Sequence, residues 1–198
     1  MRQIWLVLAA VASLTVGLAG AARAIEVPLN PDDRILGKAD APITIVEYAS
    51  LTCPHCAAFA LQSLPELKIR WIDTGRLRWV FYDFPTDIAA LQAAMVARYL
   101  PPERYAGFIN MLFADQDHWV FGAGSVPDAL WPLASDAGMD RTTFDRALAD
   151  DGLRDWIVDR ARDAQARWHV TATPSFVING KLYAGAMSAN EFAVILGG

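Results

Sequence analysis

The chain contains little cysteine and carries little net charge for its 198 residues. Only Cys53 and Cys56 occur, too few for the dense disulfide network of a small secreted domain. Without further ligands they also cannot complete a four-ligand zinc site. A formal net charge of -5 argues against a protein whose main task is to bind nucleic acid or anionic lipid. Whatever chemistry the cysteines perform, they perform it as one pair.

Hydrophobic residues are abundant instead. They make up 54% of the chain against 20% charged residues, a balance typical of a folded protein with a substantial core rather than of a disordered one. The length suits one domain with room for a sizeable insertion.

The N-terminus has the pattern of an export signal. Arg2 precedes a nearly uncharged apolar run over residues 4–22, which ends in Ala22-Arg23-Ala24. This pattern predicts a signal peptide over 1–24 and a periplasmic mature chain over 25–198. The alternative is a membrane anchor, because about 20 apolar residues can span a bilayer. Cleavage would remove Arg2 and Arg23, change the formal charge from -5 to -7, and place the cysteines in an oxidising compartment.

The first strong element is a strand over residues 43–48, rich in β-branched residues. Ile43 and Ile45 share one face and Val46 and Tyr48 the other, so both faces are apolar and we predict a central strand. Glu47 falls on the face of Ile43 and Ile45, where a carboxylate is costly to bury. Either this carboxylate has a function or the strand end opens to water.

The cysteine pair follows directly. Pro54 is favoured at the first position of a helix, which makes Cys53 the N-cap and places Cys56 one turn in. Cys53 is then the exposed sulfur, and its thiolate is favoured by the unpaired N–H groups of the first turn and by the helix dipole. Because that contribution is only about 0.3–2 kcal/mol, we expect the His55 imidazole to add to it. A stabilised thiolate stabilises the reduced pair, so we predict an oxidant of other thiols.

The rest of the chain changes from strand to helix and back. An apolar, Ala-rich helical stretch runs to residue 64, where Pro65 interrupts its pattern, and Thr74-Gly75 ends it. A strand over 77–82 follows. Helical periodicity from Asp87, with an apolar stripe containing Ile88, stops at Pro101-Pro102. Further helices are predicted over 103–114, 127–137, 141–150 and 153–168. Strands over 175–178 and 181–183 follow, joined by Asn179-Gly180, and Ser188 with Glu191 begins a last helix.

Three explanations of the Cys53–Cys56 pair remain open at this point. It is a local structural disulfide, part of a metal site, or a redox-active couple. The strand before the pair and the helix that begins at it favour redox chemistry.

These motifs carry a family resemblance. Cys53-Pro54-His55-Cys56 directly after a strand, a large helical block, and the segment from Thr173-Pro174 to Asn179-Gly180 resemble exported thioredoxin-fold disulfide oxidoreductases of the DsbA type. The resemblance covers roughly 35–196. It implies an α/β, thioredoxin-like fold with an inserted helical domain, in which 25–85 and 169–198 form the thioredoxin-like domain and 86–168 the insertion.

The resemblance also implies roles for single residues. Glu47 matches a buried acid that tunes the pair and assists proton transfer at the inner thiol. Thr173 matches a residue that touches the attacking sulfur and binds substrate backbone. Pro174 matches a cis-proline beside the cysteines, although a proline that merely leads a strand is the alternative.

Cofactor and partner expectations follow from the same resemblance. We expect no metal and no cofactor beyond the redox-active Cys53–Cys56 disulfide. The expected partners are reduced or unfolded exported client proteins and a quinone-linked membrane protein that reoxidises the pair, with no nucleic acid, and the protein is expected to be a monomer. The alternatives are a reductase or isomerase kept reduced by a membrane electron donor, and a binding module with a structural disulfide.

Overall fold

The computed structural model describes residue 30 and residues 32–197. The predicted signal peptide over 1–24, and with it the alternative of a membrane anchor, lies outside the described residues. Within the described part of the chain, five strands form one sheet in the order β1-β3-β2-β4-β5. They are β1 (Arg34–Leu36), β2 (Ile43–Ala49), β3 (Leu77–Asp83), β4 (Ser175–Ile178) and β5 (Lys181–Ala184).

The strand β2 lies in the middle of the sheet, as its two apolar faces predict. It pairs in parallel with β3 and antiparallel with β4. Glu47 lies opposite Phe81 on one side and Phe176 on the other. The carboxylate is therefore in the interior of the sheet, and the alternative of a strand end open to water is wrong.

The first strand, β1, was not predicted. The segment 25–42 reads as an irregular leader, yet residues Arg34–Leu36 pair antiparallel with β3. Three residues are too few to show a two-residue period in the sequence. Pairing with a neighbouring strand, which local sequence does not encode, determines this element.

One helical segment runs from Pro54 to Ile72, beyond the predicted interruption at Pro65. It alternates α-helical and π-helical turns: α1 (Pro54–Ala58), a π turn (Phe59–Ser63), α2 (Leu64–Leu67) and a second π turn (Lys68–Ile72). Pro65 falls in the first turn of α2, where its missing N–H is tolerated. The wider π turn before it changes the hydrogen-bond register, so the helix continues.

Six helices separate β3 from β4. The structure confirms the predicted helices and adds α5, which is only four residues long. Ile88 is 75% exposed, so its predicted place in a buried stripe is wrong, and α3 buries mainly alanines on its other face. The six are α3 (Ile88–Tyr99), α4 (Pro102–Ala114), α5 (Gln116–Trp119), α6 (Val126–Asp136), α7 (Arg141–Ala149) and α8 (Asp151–Trp168).

The C-terminal elements agree with their sequence signals. Asn179 and Gly180 both have positive φ, 50° and 75°, which a tight turn between β4 and β5 requires. The last helix, α9 (Ala189–Leu196), begins with the predicted capping box between Ser188 and Glu191.

The two faces of the sheet have separate cores. Val46, Tyr48 and Val177 face Ala164 of α8. The opposite face carries the larger core and an aromatic cluster of Phe59, Trp79, Phe176 and Phe192, whose ring centroids lie 4.8–5.8 Å apart. Glu47 lies on this second face.

The residues that the structure describes contain no helix with the length and hydrophobicity of a transmembrane segment. The helices α3 to α8 fall within the predicted insertion over 86–168, and the division into a discontinuous domain and an insertion stays a prediction.

Candidate active site

The site forms where the end of β2 meets the start of β4. These strands are antiparallel, and Tyr48 pairs with Ser175, so the turn after β2 lies beside the residues before β4. The turn is closed by a hydrogen bond from the Cys53 backbone N–H to the Ser50 carbonyl, 3.1 Å long. Cys53 and Thr173, 120 positions apart in the chain, thereby come into contact.

Cys53 is the N-cap of α1, as Pro54 predicts. Its side chain is partly exposed, and in the thiol form Sγ donates to the Thr173 carbonyl oxygen at 3.3 Å. A hydrogen bond with the Cys56 side chain is the main cause that lowers the pKa of Cys53 from 9.0 to about 5. Burial acts in the opposite direction, and the Thr173 side chain and the backbone N–H groups of Cys56 and His55 lower the pKa further.

Cys56 has the opposite properties. It is fully buried in the larger core, which packs against the sheet face that carries Glu47. Its hydrogen bond with Cys53, its burial and the negative charge of Glu47 raise its pKa well above the ordinary value. One thiol of the pair is therefore poised to ionise near pH 5 and the other is held protonated.

Glu47 is buried beneath the pair, with 2% of its surface exposed. Burial raises its pKa from 4.5 to about 7, against a smaller lowering by the hydrogen bond that Trp79 Nε1–H donates to Oε2 at 2.9 Å. Among the described residues, Oε1 has no hydrogen-bond partner. The carboxyl group can thus hold or release a proton near neutral pH. It lies close enough to Cys56 for its charge to affect the pKa of that thiol.

The remaining predicted residues surround the sulfur of Cys53. Pro54 and His55 are exposed, and the backbone N–H of His55, rather than its imidazole, is among the groups that stabilise the thiolate. Thr173 is half-buried and Pro174 buried, and the peptide bond between them is cis. The carbonyl of Pro174 accepts a hydrogen bond from the Gly185 N–H at 2.8 Å.

Two further attachments of the cysteine turn were not predicted. Thr52 donates to Asp87, the residue that caps α3, at 2.5 Å. Gln116 of α5, buried within the helical block, donates to the carbonyls of Leu51 and Cys53. Only the tertiary structure reveals these contacts, because nothing in the sequence separates Gln116 from the polar residues around it.

Those polar neighbours do not form a ligand cluster. His118 pairs with Asp115 on the surface at 2.6 Å. Across the described residues, no group of three or more His, Cys, Asp or Glu side chains is arranged to hold a metal ion.

The low pKa of Cys53 has a direct test. We expect the rate of Cys53 alkylation by iodoacetamide, and the thiolate absorbance at 240 nm, to be half-maximal near pH 5. Cys56→Ala is expected to move this midpoint up toward 9.0, because the Cys56 hydrogen bond is the main cause of the lowering. A midpoint near 9.0 in the unmodified protein would contradict the geometry of this site.

The fold and the site together define a thioredoxin-like protein with one reactive and one buried cysteine. Comparison with known sequences agrees, because the Thioredoxin family profile matches residues 29–197. The chain is similar to α-DsbA1 of Wolbachia pipientis, whose crystal structure shares 31% sequence identity at a TM-score of 0.79, over 86% of this chain and 91% of that one. The chain therefore belongs to the DsbA-type branch of the thioredoxin family, and the predicted α/β fold with helices inserted in a thioredoxin-like unit is confirmed.

Two other relatives extend the comparison. Over 159 residues the chain is 31% identical to the "Putative protein-disulfide oxidoreductase" of Rickettsia bellii (strain RML369-C), which covers 77% of this chain and 59% of that protein. The chain thus spans little more than half the length of this curated relative. A protein-disulfide isomerase from Novosphingobium aromaticivorans has a crystal structure with 26% identity and a TM-score of 0.71, over 84% of this chain and 98% of that one.

Proposed function

We propose that this protein is an exported thiol-disulfide oxidoreductase that donates the Cys53–Cys56 disulfide to folding client proteins. The proposal rests on the opposite pKa shifts of the two thiols. Cys53 is accessible with a pKa of about 5, whereas Cys56 is buried with a raised pKa. A pair divided in this way favours a reduced form with an ionised Cys53, so its disulfide readily accepts electrons.

The reaction has two exchange steps. A client thiolate attacks Sγ of Cys53, the Cys53–Cys56 bond breaks, and the sulfur of Cys56 leaves and takes up a proton. A second client thiolate then attacks the client sulfur of the mixed disulfide, and Cys53 leaves as a thiolate. Two electrons pass from the client to the pair, and the low pKa of Cys53 makes it a good leaving group in the second step.

The other site residues assist these steps. Glu47, protonated in part of the population near neutral pH, supplies the proton for the Cys56 sulfur and takes it back on reoxidation. Thr173 and Pro174 hold the client backbone. The Thr173 carbonyl lies 3.3 Å from Cys53 Sγ, so a client held there lies beside the reactive sulfur. Pro54 begins the helix, and the backbone N–H of His55 adds to the stabilisation of the thiolate.

Partners and compartment are part of the same proposal. We propose that the segment 1–24 directs export to the periplasm, where a quinone-linked membrane protein reoxidises the pair. No cofactor beyond the Cys53–Cys56 disulfide enters the cycle, and the protein acts as a monomer on reduced or unfolded clients. The name of one relative, Disulfide bond formation protein D of Bacillus subtilis (strain 168), which is 26% identical over 157 residues, supports the proposed role in disulfide formation.

A redox titration of the Cys53–Cys56 couple in glutathione buffers tests the direction of electron flow. We expect a reduction potential well above the roughly -270 mV of thioredoxin, toward the roughly -120 mV of a strong oxidant. The reduced protein should also unfold at a higher temperature than the oxidised one. A potential near that of thioredoxin, or a less stable reduced form, would overturn the oxidant role.

An isomerase is the second candidate, because one similar structure is that of a protein-disulfide isomerase. The two functions differ in the substrate that they process. An isomerase in its reduced form restores activity to a client with wrongly paired disulfides, whereas an oxidant acts on a fully reduced client. Parallel refolding assays with the two substrates, at the same enzyme concentration, distinguish them.

A further inference from the structure

The helical block, α3 to α8, contacts the active-site turn, residues 50–53, through one buried amide. Gln116 is the first residue of α5, and only 6% of its surface is exposed. Its Nε2 donates to the Leu51 carbonyl at 2.8 Å and to the Cys53 carbonyl at 3.2 Å. A buried amide is costly unless its hydrogen bonds are made, so both donors of this NH₂ group are committed to the turn.

The two carbonyls that accept from Gln116 flank the peptide bond between Thr52 and Cys53. Leu51 belongs to the turn that the Cys53 N–H closes, and the Cys53 carbonyl begins the helix by accepting from the Ala57 N–H at 3.1 Å. Cys53 itself has extended backbone angles, φ -80° and ψ 120°. A rotation of the Cys53–Pro54 peptide plane would change the directions of the next N–H groups, and Gln116 opposes that rotation.

Gln116 is itself held on a rigid support. The indole N–H of Trp119, in the same short helix, donates to the Leu112 carbonyl of α4 at 2.7 Å, and Trp119 is 2% exposed. The helix α5 is thus fixed to α4 independently of the cysteine turn. A group that contacts the turn from such a support can transmit a fixed geometry to it.

We propose that Gln116 is a positioning residue, which fixes the Cys53–Pro54 peptide plane and thereby aims the first-turn N–H groups at the sulfur of Cys53. The helical block then contributes to the reactivity of the cysteines, in addition to covering the core. The second attachment of the helical block, from Thr52 to Asp87, restrains the side chain before Cys53.

Gln116→Met tests the proposal, because methionine has a similar volume and no N–H donor. The pKa of Cys53, read from thiolate absorbance at 240 nm, is expected to rise by about 0.5 to 1, the size of one net hydrogen bond. The preference for the reduced pair in glutathione buffers is expected to weaken by about three- to tenfold. If Gln116→Met does not fold, Gln116→His, which keeps one N–H donor, is expected to give a smaller rise.

Tyr99→Phe is the matched control. It removes a hydrogen bond within the helical block, from Tyr99 of α3 to Asp150, that reaches neither α5 nor the active-site turn. We expect it to lower the unfolding temperature and leave the pKa of Cys53 unchanged. An unchanged pKa in Gln116→Met, or an equal rise in both variants, would show that Gln116 only stabilises the fold.

This inference rests on the proposed function for its redox readout only. The absorbance titration measures Cys53 directly and does not need a client protein. If the unmodified protein oxidises no client while Gln116→Met still raises the pKa of Cys53, the proposed function fails and the positioning role holds. The reverse outcome rejects the positioning role alone.

Discussion

Cys53→Ser is expected to abolish disulfide transfer to a reduced client protein, leaving only the uncatalysed rate of oxidation. Serine cannot form the disulfide with Cys56, so the variant has no oxidised form to donate. The fold should remain intact, because Cys53 is partly exposed and a serine hydroxyl can replace its hydrogen bond to the Thr173 carbonyl. Refolding of a reduced client, with circular dichroism of the variant, measures both parts.

Cys56→Ser is the matched control for this experiment. It also prevents formation of the internal disulfide, but it keeps the accessible Cys53 thiolate. We expect it to accumulate mixed disulfides with disulfide-containing clients, detectable on non-reducing gels, whereas Cys53→Ser forms none. Equal trapping by both variants would show that Cys56 reacts directly, which its complete burial opposes. Retained client oxidation by Cys53→Ser would show that the Cys53–Cys56 disulfide is not the oxidant and would overturn the proposed function.

Glu47→Gln is expected to change how the stability of the protein depends on pH. Burial raises the pKa of Glu47 from 4.5 to about 7 in the folded protein. Below pH 4.5 the carboxyl is protonated in both the folded and the unfolded state. Between pH 4.5 and 7 the unfolded chain loses this proton first, so the free energy of unfolding falls as the pH rises. Above pH 7 the full cost, about 3 kcal/mol, is present.

Glutamine does not titrate, so the variant lacks this pH-dependent loss. Relative to the unmodified protein it should gain about 3 kcal/mol in free energy of unfolding between pH 4 and pH 8. The amide also replaces a carboxylate oxygen that has no hydrogen-bond partner among the described residues, which adds a difference that does not vary with pH. Only the change with pH therefore tests the prediction.

Urea unfolding of the oxidised proteins at several pH values measures this change. Oxidised protein is chosen because neither thiol titrates in it, and the comparison of the two proteins cancels the other carboxylates. An exposed glutamate replaced in the same way, Glu103→Gln, serves as the control for the change in net charge. A flat difference for Glu47→Gln would mean that the carboxyl titrates at its ordinary pKa despite its burial.

Local signals were sufficient for most elements of the fold. The β-branched run of β2, the proline after Cys53, the Asn179-Gly180 turn and the Ser188 capping box each depend on interactions within a few residues. The structure confirms the elements that they predict. Where the structure differs from the prediction, one cause is tertiary, since β1 exists because β3 pairs with it. The other is local, since the π turn before Pro65 lets the helix continue past it.

The candidate site divides in the same way. Cys53 and Cys56 are recognisable from their spacing and from Pro54, and Glu47 from its place on an apolar strand face. Its partner Trp79 lies on β3, and the hydrogen bond between them follows from the parallel register of β2 and β3. Gln116 carried no signal, because a polar residue at a helix end has the same sequence pattern whether it faces water or a buried carbonyl.

Local sequence was enough to predict one cysteine pair at the start of a helix, after a central strand. Helix capping and N–H orientation are set within one turn, so sequence patterns contain them. How strongly the two thiols differ depends instead on long-range packing. The burial of Cys56 and Glu47, the contact of Thr173 with Cys53 and the hydrogen bonds of Gln116 join residues far apart in the chain, and the distances and desolvation that set their pKa values exist only once the chain has folded.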